Sequence, residues 1–131
     1  MNRVHSDEAL RYYRNAKSIL RNARVEHGRY LDMKPIREAC GTAHLAVLEA
    51  MKGFLVHKGV SEEKLPRTWE EFVKTLHRYS ERNGKLLSTV HLAYEILHRF
   101  GYYQGISDPE IIKRGFAHAH FIIEKLTGRS L

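Results

Sequence analysis

The residues best suited to proton transfer or phosphate binding in this chain are its nine histidines and its 22 lysines and arginines. Histidine changes charge near neutral pH, and lysine and arginine neutralise phosphate. His91, Glu95 and His98 are spaced i, i+4, i+7 and share one helical face. Glu95 and His98 have the Glu-x-x-His spacing of di-iron bundle proteins. A straight helix would hold His91 and His98 about 10 Å apart, too far for one ion. The chain also has no second Glu-x-x-His, so this stripe reads as solvent-facing ion-pair partners. His118 and His120 flank Ala119 and diverge by about 160–200° on a helix. No metal site and no cofactor are expected.

A second pattern is electrostatic. Arg11, Arg14, Lys17, Arg21 and Arg24 recur in steps of three and four and form one broad ridge on a helix. Such a ridge is a candidate nucleic-acid-binding surface for weak, salt-dependent contact with RNA, and Tyr12, Tyr13 and Tyr30 are able to stack on bases. Tyr12 and Tyr13 are more readily accommodated in the core, leaving the ridge as a solvated face. There is no Gly-x-x-x-x-Gly-Lys phosphate loop and no Gly-x-Ser-x-Gly elbow.

These side chains sit on a chain of 131 residues, one domain by length, spanning 1–131. Its 43% hydrophobic and 28% charged residues describe a folded protein, and the net charge of +7 permits a polyanionic partner. The one cysteine, Cys40, excludes an internal disulfide and reads as a small buried hydrophobe. The start from Met1 to Glu8 has no apolar run resembling a signal peptide. No uncharged apolar stretch of about 18 residues suggests a membrane span, so a cytoplasmic location is the expectation.

The elements are helical throughout. Ser6 is expected to cap a first helix ending at Gly28, with Ala9, Tyr12, Tyr13, Ala16, Ile19, Leu20 and Ala23 inside. Asp32 and Pro35 open a second helix, about Lys34 to Lys58, whose apolar surface is wider than one stripe. Gly59 stops it, and a connector to Arg67 holds one turn at Ser61–Lys64. Thr68 and Glu71 have capping-box spacing before a short third helix with Trp69, Phe72, Val73, Leu76 and Tyr79. Asn83-Gly84 is a turn, and a fourth helix carries Leu86 to Phe100. Gly101 to Gly105 reads as a turn, with Ser107 capping a last helix that Gly128 ends. Gly115 and Ala119 mark a close helix crossing on its inner face. The expected fold is all-α, an antiparallel up-and-down four-helix bundle with an extra short helix and no strand.

The spacing Tyr12-Tyr13-x-x-Ala16-x-x-Ile19-Leu20, the alanine-rich second helix and the closing amphipathic helix resemble HEPN domains (higher eukaryote and prokaryote nucleotide-binding). The resemblance covers most of the chain and rests on helix pattern. It implies a bundle, often dimeric, acting as a ribonuclease or as a partner of a nucleotidyltransferase. Active members carry Arg, four to six residues, then His near the start of a late helix. Arg114 and His120 match with five residues between them, which implies an Arg that holds phosphate and a His that moves a proton without metal. Gly115 stands where the family has a polar residue, and a regular helix sets Arg114 and His120 about 120° apart. Arg37 and His44 also fit, with six between, on a helix where the family does not place its site. The expectation is therefore a homodimeric binding or interaction module with RNA or a protein partner. The alternatives are a metal-independent endoribonuclease and an accessory subunit of a nucleotidyltransferase.

Overall fold

In the computed structural model the chain is predominantly α-helical; residues 3–80 and 83–131 are described, and Met1, Asn2, Glu81 and Arg82 lie outside them. Helix α1, Val4–Arg21, begins without a side-chain cap, so Ser6 lies inside it rather than before it. It stops short of His27 because residues 25–30 form a hairpin instead. Strands β1, Val25–Glu26, and β2, Arg29–Tyr30, pair antiparallel with Val25 opposite Tyr30. His27 and Gly28 form the turn with φ of 53° and 75°. Positive φ at both central residues matches the right-handed twist of a tight hairpin, so Gly28 serves a turn here and not a helix stop. Tyr30 N–H donates to the Ser107 carbonyl at 2.8 Å, and Arg29 Nη1 donates to Ser107 Oγ at 3.1 Å. The expected absence of strands is corrected by this hairpin, which is tied to the approach to the last helix.

Helix α2, Met33–His57, is capped by Asp32, whose carboxylate accepts from Lys34 N–H at 3.0 Å. Ile36, Ala39, Cys40, Ala43, Ala46, Val47, Ala50, Met51 and Leu55 are buried along it. Small side chains on several faces let neighbours approach from several sides, and α1, α3, the π-helical segment and α5 described below all pack on it. Its length and hydropathy would suffice to cross a membrane, yet 44% of the apolar window is buried inside the protein. That burial is the signature of a core helix.

Helix α3, Trp69–Tyr79, follows a single 3₁₀ turn at Glu62–Lys64. Thr68 Oγ1 accepts from Glu71 N–H at 3.2 Å, and the Glu71 carboxylate accepts from Arg67 N–H, so the capping box closes one residue early. Helix α4, Gly84–Ala93, is capped by Asn83 and runs without interruption into a π-helical segment, Tyr94–Gln104. The expected turn at Gly101 is thus helix, and the chain breaks only at Gly105, with φ 79°. The reason lies on α2: a Cβ on Gly101 would stand 2.7 Å from Cys40 Cβ and 3.0 Å from the Ile96 carbonyl oxygen. Glycine there permits close approach, not a turn. Helix α5, Pro109–Thr127, is capped by Asp108 rather than Ser107, and Gly128 ends it in a left-handed conformation. Gly115 and Ala119 are buried, and a Cβ on Gly115 would lie 2.5 Å from Ile96 Cγ2, as expected of a close crossing.

His5 binds three elements together. Its Nδ1 lies 2.6 Å from Glu49 and its Nε2 2.8 Å from Glu62, linking α1, α2 and the 3₁₀ turn. Gly53 makes room for it, since a Cβ there would meet His5 Cβ at 3.2 Å. Burial alone would lower the His5 pKa, but the hydrogen bonds and charges of Glu49 and Glu62 outweigh it and raise it above 6.5. A proton held more tightly in the folded chain stabilises it fully below the unfolded value, and that contribution is lost as pH rises through the folded value. Thermal melting from pH 6 upward is therefore expected to show a stability loss that His5→Gln abolishes. A wild-type profile indistinguishable from that of the variant would show that the clamp carries no proton-linked stability.

Candidate functional site

A cleft of about 740 Å³ lies between α1, the hairpin and α5. Lys17 and Arg21 reach it from α1, Lys113 and His120 from α5, and Tyr13, Tyr30 and Phe116 supply its apolar floor. A step of four on α1 and one of seven on α5 place these side chains along the two edges, and the buried Tyr30 of β2 joins the lining. Tyr13 donates its hydroxyl to the Phe116 carbonyl at 3.1 Å, and burial pushes its pKa to about 12, so it stays a neutral phenol. Its ring meets Phe116 at 6.0 Å and the His120 imidazole edge-on at 5.8 Å, and Lys17 Nζ lies 5.9 Å over it. Among the described residues none of those lining the cleft is acidic; Glu124 stands beside it, 3.3 Å from His120 Nε2. The result is a concave surface with fixed aromatic rings and a ring of mobile cations.

The ridge expected on helix one is divided by the structure. Lys17 and Arg21 belong to this cleft. Arg11 is held by Glu8 at 2.6 Å and lies over Tyr12. Arg14 lines a separate depression with Asp7 and Arg129, whose side chains are themselves paired. Arg24 is exposed in the segment between α1 and β1, past the end of the helix. Arg114 and His120 are not brought together. Arg114 is exposed and outside the cleft that His120 lines, and its charge is felt by His118, whose pKa is lowered by burial and then by Arg114. Helical phase explains this: positions 114 and 118 are one turn apart, whereas 114 and 120 are not.

A second groove, about 410 Å³, lies between α2 and the π-helical segment. Here His98 is not a solvent-facing ion-pair partner. Glu95 pairs with Arg99 at 2.9 Å instead, and His98 is stacked. Trp69, Tyr94, His98 and Tyr102 form a ladder with successive interplanar angles of 8°, 27° and 12°. His44 lies against His98 at 4.7 Å, and burial, then the charge of His98, lowers its pKa to about 4. His44 is thus neutral at neutral pH. Among the described residues no group of three or more His, Cys, Asp or Glu side chains is placed to hold a metal ion. The Arg37–His44 spacing was the one sequence signal for this groove; His98 and Tyr102 join it only through the packing of separate helices.

A family model described as a domain of unknown function (DUF5618) matches residues 4–128. Among solved structures the chain is similar to a protein of unknown function from Dyadobacter fermentans, with a TM-score of 0.80 and 31% identity over 97% of this chain and 96% of that one. No curated protein matches the sequence.

Proposed function

The chain belongs to the DUF5618 family, a domain of unknown function; from the geometry of its cleft we propose that it is a HEPN-like antiparallel bundle that binds single-stranded RNA as a module without cleaving it. The observation that carries the reading is the cleft between α1 and α5, where Lys17, Arg21 and Lys113 surround an apolar floor bearing Tyr13, Tyr30 and Phe116. Cations on a groove track a phosphate backbone, and aromatic surface accepts bases without reading their sequence. The antiparallel arrangement is supported by short connections and by α2 packing against α1, the π-helical segment and α5. Catalysis is disfavoured because Arg114 stands outside the cleft and His120 is engaged by Glu124. A protein partner such as a nucleotidyltransferase is the second reading, and the same cleft would serve it.

The test is a titration of a fluorescent single-stranded RNA at low salt, followed by anisotropy and by gel analysis of the RNA afterwards. The expected result is binding that weakens at least about tenfold when Lys17, Arg21 and Lys113 become alanine, each lost phosphate contact removing part of the counterion release. The RNA is expected to stay intact without added metal. Equal binding by the variant would remove the cleft from the reading, and cleavage abolished by His120→Ala would replace the module with a ribonuclease.

A homodimer and a cytoplasmic location belong to the same proposal. Tyr103 is 75% exposed, surface that a second copy would cover. Sedimentation at tens of micromolar is expected to give twice the chain mass; a monomer there would end the dimer reading. The single cysteine, free and buried, suits a reducing compartment.

A further inference from the structure

We propose that the groove between α2 and the π-helical segment is a binding site for a planar aromatic carboxylate, with the ring against His44, His98 and Tyr102 and the carboxylate on Arg37. Three independent observations converge on it. The first is the aromatic ladder. Its rings are stacked in succession from Trp69 to Tyr102, and the ladder ends at Tyr102, which lines the groove and is 48% exposed. Gly41 lets that ring lie close on α2, since a Cβ there would stand 2.8 Å from Tyr102 Cδ1. A flat ligand ring finds stacking surface already assembled, at no cost in ordering it.

The second observation is unspent hydrogen-bonding capacity. Among the described residues neither His44 nor His98 has a hydrogen-bond partner, and Ser80 Oγ is the one side-chain polar atom buried without one, so the two imidazoles keep access to the groove they line. A neutral imidazole offers one donor and one acceptor, which a ligand in the groove can use. Thr42 adds a hydroxyl to the same lining.

The third is Arg37. Its Nη2 donates to the Gln104 carbonyl at 3.0 Å, and the backbone at Gly105 wraps so closely that a Cβ there would stand 3.0 Å from Arg37 Nε. Among the described residues it has no ion-pair partner; Glu38 also lines the groove but lies 3.9 Å from Lys34, so the ligand's carboxylate is taken by Arg37 on the side held to Gln104 and Gly105. An anchored guanidinium with spare donors suits a carboxylate, which it can hold with two parallel hydrogen bonds. The groove's 410 Å³ is in the range of small-molecule pockets, about 300–1,000 Å³.

The site is separate from the α1–α5 cleft and is tested separately. Calorimetric titration of the full chain with indole-3-carboxylate, indole and acetate compares ring plus acid, ring alone and acid alone. Indole-3-carboxylate is expected to bind at least tenfold more tightly than either fragment and to shift the ring-proton resonances of His44 and His98. Arg37→Gln should lose that tenfold preference while binding indole as before. The variant with Lys17, Arg21 and Lys113 changed to alanine should bind the carboxylate as the wild type does. A wild-type affinity for the carboxylate no better than for indole overturns the proposal without recourse to any variant. Unshifted histidine resonances, or binding lost with the Lys17, Arg21 and Lys113 changes, overturn it equally.

Discussion

Gly101→Ala is expected to destabilise the protein by about 3 kcal/mol or more, the upper range for forcing extra volume into a packed core. The added methyl would stand 2.7 Å from Cys40 Cβ and 3.0 Å from the Ile96 carbonyl oxygen. Both are unforgiving neighbours. Cys40 is a buried, short side chain, and its Sγ is nearer still to the added methyl than its Cβ is. The carbonyl belongs to the helical backbone itself. Relief therefore requires the π-helical segment to lift from α2 or to change its hydrogen bonding, and either exposes Leu97, which is fully buried. For a domain of this size the expected fall in Tm is about 10 °C or more. Gly84→Ala is the control: a Cβ there meets nothing within 4 Å, so the melting temperature should hold or rise slightly. Equal melting temperatures for both variants would show that α2 and the π-helical segment are not packed as described.

Salt should act on RNA binding as strongly as any single substitution. Three cations in the cleft, Lys17, Arg21 and Lys113, give a log–log slope of about −2 for a single strand, hence about a 20-fold weakening between 50 and 200 mM salt. The value follows from counterion release and not from contact strength, so it is insensitive to RNA sequence. With all three residues changed to alanine the slope should flatten towards zero. Changing Arg11 and Arg14 should leave it nearly unaltered, because Arg11 is held by Glu8 and Arg14 lies in the depression with Asp7 and Arg129. A slope that responds equally to both sets of changes would restore the whole ridge as the binding surface in place of the cleft.

Local chemistry explains which parts of the fold were legible in the sequence. Asp32 and Thr68 each cap a helix because a short polar side chain can satisfy the free N–H groups that follow it, whereas Asn83, read as a turn residue, caps α4 in the same way. The wide apolar surface of α2 likewise foretold contact on several sides. Features set by distant packing were not legible. Gly101 looks like a turn residue until Cys40 of α2 is placed over it, and Gly28 looks like a helix stop until Val25 is paired with Tyr30. The same holds for chemistry. The spacing of Arg11 to Arg24 predicted a ridge, but the early end of α1 and the partners Glu8 and Asp7 decide which of its cations are available. His98 was read on its own helix beside Glu95, whereas its environment comes from His44 on another.

Trp69 is the only tryptophan in the chain and lies 4.2 Å from Tyr94, almost parallel to it. It also opens α3, the helix with just Phe72 and Leu76 buried. Elements with few buried contacts detach at lower free energy than the rest of a domain. The indole emission is consequently a gauge of one junction: it responds when α3 swings away, while far-ultraviolet dichroism still records an intact α2. Unfolding followed by those two signals together would resolve a peripheral step from the collapse of the core, with no label added to the protein.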